Sequence, residues 1–310
     1  MKILYIAGSS RCGSTLLANV LGELPGFLSA GELRFLWDRA REGRLCGCGE
    51  AISGCELWSQ VLHETDATTR GRLDEIRRWQ RDTVRLHRTP TLVTTHTGES
   101  LARYVDVLAR TIDAIGRSTG CDVLVDSSKH PAQAAALLRV PGIDLYLLHL
   151  IRDPRAVAYS QRRWKPNPDG VRSGGMGGAS VWWSVAHWSA SNLASRLVRW
   201  RIGSPRSMLL RYEDLVADPT DRVRGILEWI GEARPLFPAP FVDGRSISLG
   251  RNHTVSGNPD RFTRGLVEIK PDDRWMREMS VADRRITTAL TTPLRPLFGY
   301  GTRPKSRGVA

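Results

Sequence analysis

The residues best placed to do chemistry come first in the chain, in a glycine-framed loop that runs from Gly8 to Thr15. The apolar residues 3–7 before the loop predict a short buried strand, and residues 16–21 after it predict the start of a helix. In such a strand–turn–helix unit, backbone N–H groups and the positive end of the helix dipole point to one spot, where an anion is stabilised. The loop therefore predicts a phosphate-binding site. Its candidate residues are Ser10, Arg11, Cys12, Gly13, Ser14 and Thr15.

The spacing of this loop is that of a Walker A motif with one departure. Ser14 stands at the position of the lysine that normally reaches the β- and γ-phosphates of a nucleoside triphosphate. Arg11 instead supplies a cation from within the loop. The pattern therefore indicates a phosphate ligand other than ATP or GTP.

A second candidate site follows the apolar residues 144–151, which predict a buried parallel strand. Asp153 suits the cap of a helix that begins at the next residue, a proline. Arg152 would then lie at the carboxyl end of a strand, where open α/β sheets bind ligands, with Ser160 two turns along the helix. The structural alternative for Arg152 is a salt bridge with Asp153 or Asp126.

The elements that must position these residues alternate between strand and helix, which predicts one α/β domain over residues 1–310 with a parallel sheet wrapped by helices. The predicted strands are 2–7, 26–29, 122–125, 144–151 and 207–211. The predicted helices are 14–24, 33–41, 100–118, 131–138, 154–163, 180–201, 219–230 and 281–290, and the basic stretch 70–88 also predicts an amphipathic helix. Residues 165–178 are rich in Gly and Pro, which predicts a mobile loop that buries little and could cover a site.

The charge of the chain is strongly positive, with 45 Lys and Arg against 32 Asp and Glu and a formal net charge of +13. Such a charge favours an anionic partner. Because the basic residues are scattered and match no recognition motif, we do not expect nucleic acid. The start of the chain is unlike a signal peptide and no stretch is long and apolar enough to span a membrane, so we expect a cytoplasmic protein with reduced thiols.

Three of the five cysteines cluster at Cys46, Cys48 and Cys55. One interpretation is a structural zinc site with His63 as a fourth ligand, although the spacing matches no standard zinc motif. A disulfide from Cys55 to Cys46 or Cys48, or three buried free thiols, are the alternatives. We expect that no metal is required.

Together, the two candidate phosphate sites resemble those of sulfotransferases that use 3′-phosphoadenosine 5′-phosphosulfate (PAPS). In that family an Arg opens the strand-to-helix turn at the 3′-phosphate site and a Ser follows eight residues later, as Arg152 and Ser160 do here. Residues 211–215, Arg-Tyr-Glu-Asp-Leu, resemble a further family stretch and would put Tyr212 near the adenine. The arginine-lysine-glycine signature of the steroid and phenol enzymes is absent, so the chain resembles more the carbohydrate, tyrosylprotein and bacterial branch.

This resemblance implies a sheet of the P-loop nucleotide-kinase type and transfer of a sulfuryl group from PAPS, leaving PAP, to a hydroxyl of a small-molecule, carbohydrate or natural-product acceptor. By position in the chain, Glu32 resembles the family's base for the acceptor hydroxyl. Lys129 resembles the lysine that contacts the oxygen bridging sulfur and phosphorus, with Arg11 as a further cation. A late loop resembles the one that closes over the cofactor. Its candidate residues are Ser256, Gly257 and Asn258.

Three alternatives remain open at this point. His96 loosely matches the base of the steroid and phenol enzymes. A P-loop kinase would use Asp126, at the end of a predicted strand, as a Mg²⁺ ligand, but it lacks the lysine of its phosphate loop. A non-catalytic basic protein that binds nucleotides or RNA would not need Glu32.

Overall fold

Five parallel strands make up the main sheet in the part of the chain that the structure describes, residues 1–94, 98–164, 169, 177–232 and 241–301 of a computed structural model. The strands are β1 (Lys2–Ala7), β2 (Phe27–Gly31), β3 (Val123–Lys129), β4 (Asp144–Ile151) and β5 (Ser207–Arg211). They lie in the order β2-β3-β1-β4-β5, and each neighbouring pair is parallel. The predicted parallel α/β sheet is confirmed.

Helices connect the strands and cover both faces of the sheet. They are α1 (Ser14–Gly22), α2 (Leu36–Glu42), α3 (Glu56–Glu64), α4 (Arg70–Thr83), α5 (Thr89–Thr94), α6 (Glu99–Thr119), α7 (Pro131–Leu137), α8 (Pro154–Arg162), α9 (Val181–Ile202), α10 (Tyr212–Ala217), α11 (Pro219–Trp229), α12 (Trp275–Glu278) and α13 (Val281–Thr291). A separate antiparallel pair consists of β6 (Ser246–Leu249) and β7 (Gly265–Glu268). None of the helices in the described ranges combines the length and the apolar character that crossing a bilayer requires.

The side chains of β1 alternate between two apolar layers, as the period of two along a strand dictates. Ile3 and Tyr5 face a layer that includes residues of α3, α4, α6 and α7. Leu4 and Ile6 face a second layer that includes residues of α1, α10 and α11. Because both faces of the strand are buried, it reads as a continuous apolar run rather than as an alternating one.

A crevice opens at the carboxyl ends of β1 and β4. The chain leaves β1 through α1 towards β2 on one side of the sheet, and it leaves β4 through α8 and α9 towards β5 on the other side. Connections that depart in opposite directions from adjacent strands leave a gap between them, which is where open α/β sheets bind ligands. The loop Gly8–Thr15 and Arg152 both lie at this gap.

Strand β3 differs from the prediction, because it continues to Lys129 rather than ending at residue 125. Its last residues are held by β1: after a register shift Ala7 pairs with Lys129, and Gly8 N donates to the Lys129 carbonyl oxygen at 3.1 Å. This pairing between distant segments extends the strand beyond what local sequence indicates. Strands β6 and β7 and helices α3, α5, α10 and α12 were not predicted from the sequence.

Most of the predicted mobile loop, residues 165–168 and 170–176, lies outside the described residues. Asp169, within the same segment, is only 4% exposed. Its carboxylate accepts from Leu45 N at 2.9 Å and pairs with Arg39 and, at 3.1 Å, with Arg261. The expectation that this segment buries little is therefore wrong at Asp169.

His149 carries a titratable group into the centre of the sheet. It lies on β4 with none of its surface exposed, and its Nε2 is 2.9 Å from Asn192 Oδ1, to which it donates. Burial lowers the pKa of His149 to about 4, even though the hydrogen bond to Asn192 favours the charged form. In the folded protein the His149 imidazole is therefore neutral at neutral pH.

This neutral histidine should make stability depend on pH. Its pKa is lower in the folded than in the unfolded chain, so between pH 6.5 and about 4 the unfolded state binds more protons and stability falls as pH falls. Its contribution, up to about 3 kcal/mol, is present above pH 6.5 and is lost as pH drops towards 4. Urea unfolding of wild type and His149→Gln, which keeps a donor for Asn192 without titrating, should show wild type losing stability relative to the variant over this range. Parallel stability curves would contradict the assignment.

Candidate active site

A cavity of about 710 Å³ occupies the crevice at the carboxyl ends of the strands. It collects most of the residues that sequence analysis singled out, although they come from all parts of the chain. Those that line it are Ser10, Arg11, Gly13, Ser14, Thr15, Glu32, Lys129, Arg152, Ser160, Tyr212 and Asn258. Cys12 is fully buried beneath the loop, and Ser256 and Gly257 are not among the lining residues.

The glycine-framed loop exposes the start of α1 to this cavity. No side chain caps the helix at Gly13, so the first N–H groups of α1 are available to an anion. Gly13 has a φ of 97°, and a Cβ there would lie 2.4 Å from Tyr212 Cδ2. Glycine is therefore required at this position both by its backbone conformation and by the close approach of Tyr212.

Arg152 follows β4, lines the same cavity as the glycine-framed loop, and is 6% exposed. Its guanidinium lies over the Tyr212 ring, 4.3 Å from the centroid, and Nη2 is 3.1 Å from Asp272 Oδ2. Its Nε is buried and has no hydrogen-bond partner among the described residues. The expected alternative partners, Asp153 and Asp126, are both engaged elsewhere, with Arg155 and with residue 128. Arg152 thus has a buried donor without a partner among the described residues, which costs free energy.

Positive charge predominates along the cavity. Six cationic side chains line it, against the carboxylates of Glu32, Asp260, Glu268 and Asp272; the cations are Arg11, Arg34, Lys129, Arg152, Lys270 and Arg274. Partial burial alone would raise the pKa of Asp272, but hydrogen bonds and charge from Arg274 and Arg152 hold it at about 2. Six cationic side chains against four carboxylates give the wall a net positive charge, which suits an anionic ligand.

Glu32 and Lys129 form an ion pair at the wall of the cavity, with side chains that are 16% and 14% exposed. Glu32 directly follows β2, and its N–H donates to the Ser256 carbonyl oxygen at 2.9 Å. Lys129 has a φ of 65°, a left-handed conformation that is unfavourable for lysine. Strain of this kind persists only where the surrounding structure imposes it, often at functional sites. The pair brings a carboxylate and a cation into contact where a reacting group could reach both.

Asp126, the candidate Mg²⁺ ligand of a kinase, does not line the cavity. It is 2% exposed, and Oδ1 accepts from both N and Oγ of Ser128, the former at 2.9 Å. Burial raises the pKa of Asp126 to about 6, despite these hydrogen bonds. A carboxyl group turned into the protein in this way cannot also hold a metal in the cavity, which removes the main support for a kinase.

Several lining residues were not found by sequence analysis. Arg34 lies two residues after Glu32, and the segment 268–274 contributes charged side chains from beyond β7. Trp183 and His187, one turn apart on α9, stack with ring centroids 4.8 Å apart, and both line the cavity. The only sign of this segment in the sequence is the alternation of acidic and basic residues at 268–274. No local pattern places it beside the glycine-framed loop. His96, the alternative base, lies outside the described residues.

The comparisons with known proteins agree on one family. A family model described as "Sulfotransferase family" matches residues 4–235. Carbohydrate sulfotransferase 2 of Mus musculus and of Homo sapiens are each 27% identical to this chain over an alignment of 161 residues, and the match covers 41% of this chain. The match spans 30% of the length of these relatives.

Two solved structures share the fold over almost the whole chain. The sulfotransferase domain from the Synechococcus PCC 7002 olefin synthase superposes with a TM-score of 0.55 at 20% identity, covering 98% of this chain and 96% of that one. The sulfotransferase domain from the curacin biosynthetic pathway gives 0.52 at 17% identity, covering 94% and 97%. With three quarters of its length matched by the family model and its sheet shared with these domains, the chain belongs to the sulfotransferase family.

Proposed function

We propose that this protein transfers a sulfuryl group from PAPS to a hydroxyl group of a carbohydrate or other small-molecule acceptor. The main support for the proposal is that three features share one cavity. They are the uncapped start of α1, the buried Arg152 with its unpaired Nε, and the Glu32–Lys129 ion pair. They supply two anion sites and, beside them, a base with a cation.

The loop Ser10–Thr15 is proposed to bind the 5′-phosphosulfate end of the donor. The free N–H groups of α1 and the helix dipole favour a phosphate there. Arg11 is already held over the loop, with Nη1 3.2 Å from Asn258 Oδ1. Asn258 N in turn donates to Thr15 Oγ1 at 3.2 Å, so the late segment covers this end of the cavity.

Arg152 and Ser160 are proposed to bind the 3′-phosphate. Ser160 lies about two turns into α8, eight residues after Arg152, and both line the cavity. A phosphate would satisfy the unpaired Arg152 Nε and compete with Asp272 for the guanidinium. Tyr212 supports both sites, because its ring packs against the loop at Gly13 and against Arg152; contact with the adenine remains a prediction.

Glu32 is proposed as the base of the transfer. The acceptor oxygen forms a bond to sulfur as the bond from sulfur to the phosphate oxygen breaks, and the hydroxyl proton passes to the Glu32 carboxylate. Lys129 stabilises the negative charge that grows on the departing oxygen. Their ion pair holds Lys129 beside the Glu32 carboxylate.

The acceptor is proposed to enter beside Trp183, which is 52% exposed, and Phe35. Arg34 lies over the Phe35 ring at 4.5 Å from its centroid. Exposed aromatic faces pack well against the apolar faces of sugar and aromatic rings. This arrangement supports a ring-bearing alcohol within the proposed acceptor class.

Gly13→Ala should lower the free energy of unfolding by about 1–3 kcal/mol and weaken PAP binding, because the added methyl strains the backbone and displaces Tyr212. Gly225→Ala, within α11 and with open space around it, is the matched control and should be neutral or stabilising by up to about 1 kcal/mol. Urea unfolding and calorimetric titration with PAP measure both quantities. Equal effects of the two substitutions would contradict the packing argument.

The double variant Arg152→Ala/Ser160→Ala should bind PAP at least about tenfold more weakly, since charge-assisted hydrogen bonds to a phosphate contribute roughly 1.5–3 kcal/mol each. Arg206→Ala removes an exposed arginine that pairs with Asp144, and it should leave the affinity unchanged. Titration calorimetry with PAP and with ATP–Mg²⁺ tests both the site and the donor. Undiminished PAP affinity in the folded double variant removes the 3′-phosphate site, and tighter binding of ATP–Mg²⁺ than of PAP by wild type removes PAPS as donor.

Glu32→Gln should retain PAP affinity while turnover falls by roughly 10²–10⁴-fold. Lys129→Met should also lower kcat more than cofactor affinity, because its contact strengthens in the transition state. Glu42→Gln, which alters a half-exposed surface carboxylate paired with Arg44, is the control. Turnover is followed as transfer of radiolabelled sulfate from PAPS to the best acceptor in a panel of sugars and ring-bearing alcohols. Full activity of Glu32→Gln alongside an inactive His96→Ala would move the base to His96.

A further inference from the structure

A cluster of metal-binding side chains lies outside the cavity. Cys46, Cys48 and Cys55 meet His253, about two hundred residues further along the chain, and their ligand atoms all lie within 4.8 Å of one another. Cys46 and Cys55 are fully buried, and neither they nor Cys48 form a disulfide. None of the four lines the cavity. The transfer reaction therefore does not account for this cluster.

The spacing of the ligand atoms suits one tetrahedral metal ion. Zinc–sulfur bonds of about 2.3 Å and zinc–nitrogen bonds of about 2.0–2.1 Å place sulfur and nitrogen ligands about 3.5 Å apart in a tetrahedral site. His253 Nδ1 lies 3.2 Å from Cys55 Sγ and 3.9 Å from Cys46 Sγ, on either side of that value. We propose that Cys46, Cys48, Cys55 and His253 bind one structural Zn²⁺.

The donor set selects the metal. Three thiolates and one imidazole form one of the closed ligand sets of structural zinc, whereas Mg²⁺ and Ca²⁺ prefer oxygen ligands. Three thiolates around one Zn²⁺ leave a net negative charge. Two arginines lie beside the cluster: the Arg251 guanidinium interacts electrostatically with Cys48, and Arg264 Nη2 donates to the Gly47 carbonyl oxygen at 2.5 Å. They offset that charge.

The backbone around the cluster is shaped to bring its two halves together. Gly47 N donates to the Thr254 carbonyl oxygen at 2.8 Å, and a Cβ at Gly47 would lie 2.0 Å from Asn252 Oδ1. Only glycine allows the turn between Cys46 and Cys48 to approach the His253 segment this closely. A disulfide between two of the cysteines would use neither the third cysteine nor His253, so it does not account for this convergence.

His253 was not found from the sequence, which offered His63 instead. His63 is exposed near the end of α3 and is not part of the cluster. The expectation that no metal is required concerned the transfer reaction, whereas at the cysteines the sequence left zinc, a disulfide and free thiols open. His253 supplies the fourth ligand that the three cysteines lack, and this complete set favours zinc.

The proposed zinc tethers the segment that closes the cavity. From His253 the chain runs along the edge of the sheet: Val255 N donates to the Ala30 carbonyl oxygen at 2.8 Å, and Ser256 O accepts from Glu32 N at 2.9 Å. The segment then reaches Asn258, which contacts Arg11 at 3.2 Å. The ion would thus hold the late segment against β2 and the glycine-framed loop without touching the reacting atoms.

Metal content tests the site directly. Protein purified under reducing conditions without chelator should contain about one Zn²⁺ per chain by mass spectrometry of the elements, and the metal-free protein should take up about one equivalent of Zn²⁺. Cys48→Ser and His253→Ala should each lower the content several-fold. Cys121→Ser and His63→Ala, which remove a cysteine and a histidine outside the cluster, should not change it. Reduced, folded wild type that binds no Zn²⁺, or equal content in Cys48→Ser and Cys121→Ser, overturns the proposal.

Two measurements on wild type keep the test independent of how well the variants fold. X-ray absorption of the zinc-loaded protein should give about three sulfur neighbours near 2.3 Å and one lighter neighbour. Removal of the metal should speed amide hydrogen exchange in residues 44–58 and 252–258 and leave α11 unchanged. A zinc shell without sulfur overturns the ligand assignment, and exchange that does not respond to the metal overturns the tethering role. Neither readout depends on sulfuryl transfer, so their failure is distinct from failure of the proposed function.

Discussion

Cations held close together at the carboxyl edge of the sheet are the constraint on which the rest of the structure depends. Burial lowers the pKa of Arg11, and Arg152 is almost inaccessible to solvent, so each positive charge must find a partner within the protein. The partners come from remote segments: Asn258 for Arg11, Asp272 for Arg152, and Glu32 for Lys129. Residues beyond 250 must therefore fold back across the sheet.

These partners are of a kind that an anionic ligand can replace. The Asn258 amide oxygen accepts a hydrogen bond from Arg11 without neutralising its charge. The Asp272 carboxylate pairs with Arg152 but leaves Arg152 Nε unpaired among the described residues. A phosphate supplies stronger acceptors in the same positions. Under the proposed function, phosphates of the donor would form these bonds, and the free energy of holding the cations together would favour donor binding.

The backbone around the cavity is held in unfavourable conformations by the same pairing. Arg11 and Lys129 both adopt left-handed φ values, 66° and 65°. Lys129 is held by its pairing with Ala7 at the end of β1, and Arg11 by the short turn between Gly8 and Gly13. The sheet and α1 supply the packing that sustains this strain, and the result is a cationic side chain aimed from each turn into one cavity.

Local patterns in the sequence determined the strand, glycine-framed loop and helix at the start of the chain, the parallel α/β class, and the Arg152–Ser160 spacing. Each depends on periodicity or turn chemistry within a dozen or so residues, which a sequence displays directly. Only the tertiary structure decided that β3 extends to Lys129, that Asp272 rather than Asp126 or Asp153 pairs with Arg152, and that His253 rather than His63 joins the cysteines. These pairings join residues that are far apart in the chain, and they form because packing of the whole sheet brings particular backbone and charged groups together, a condition that no local spacing records.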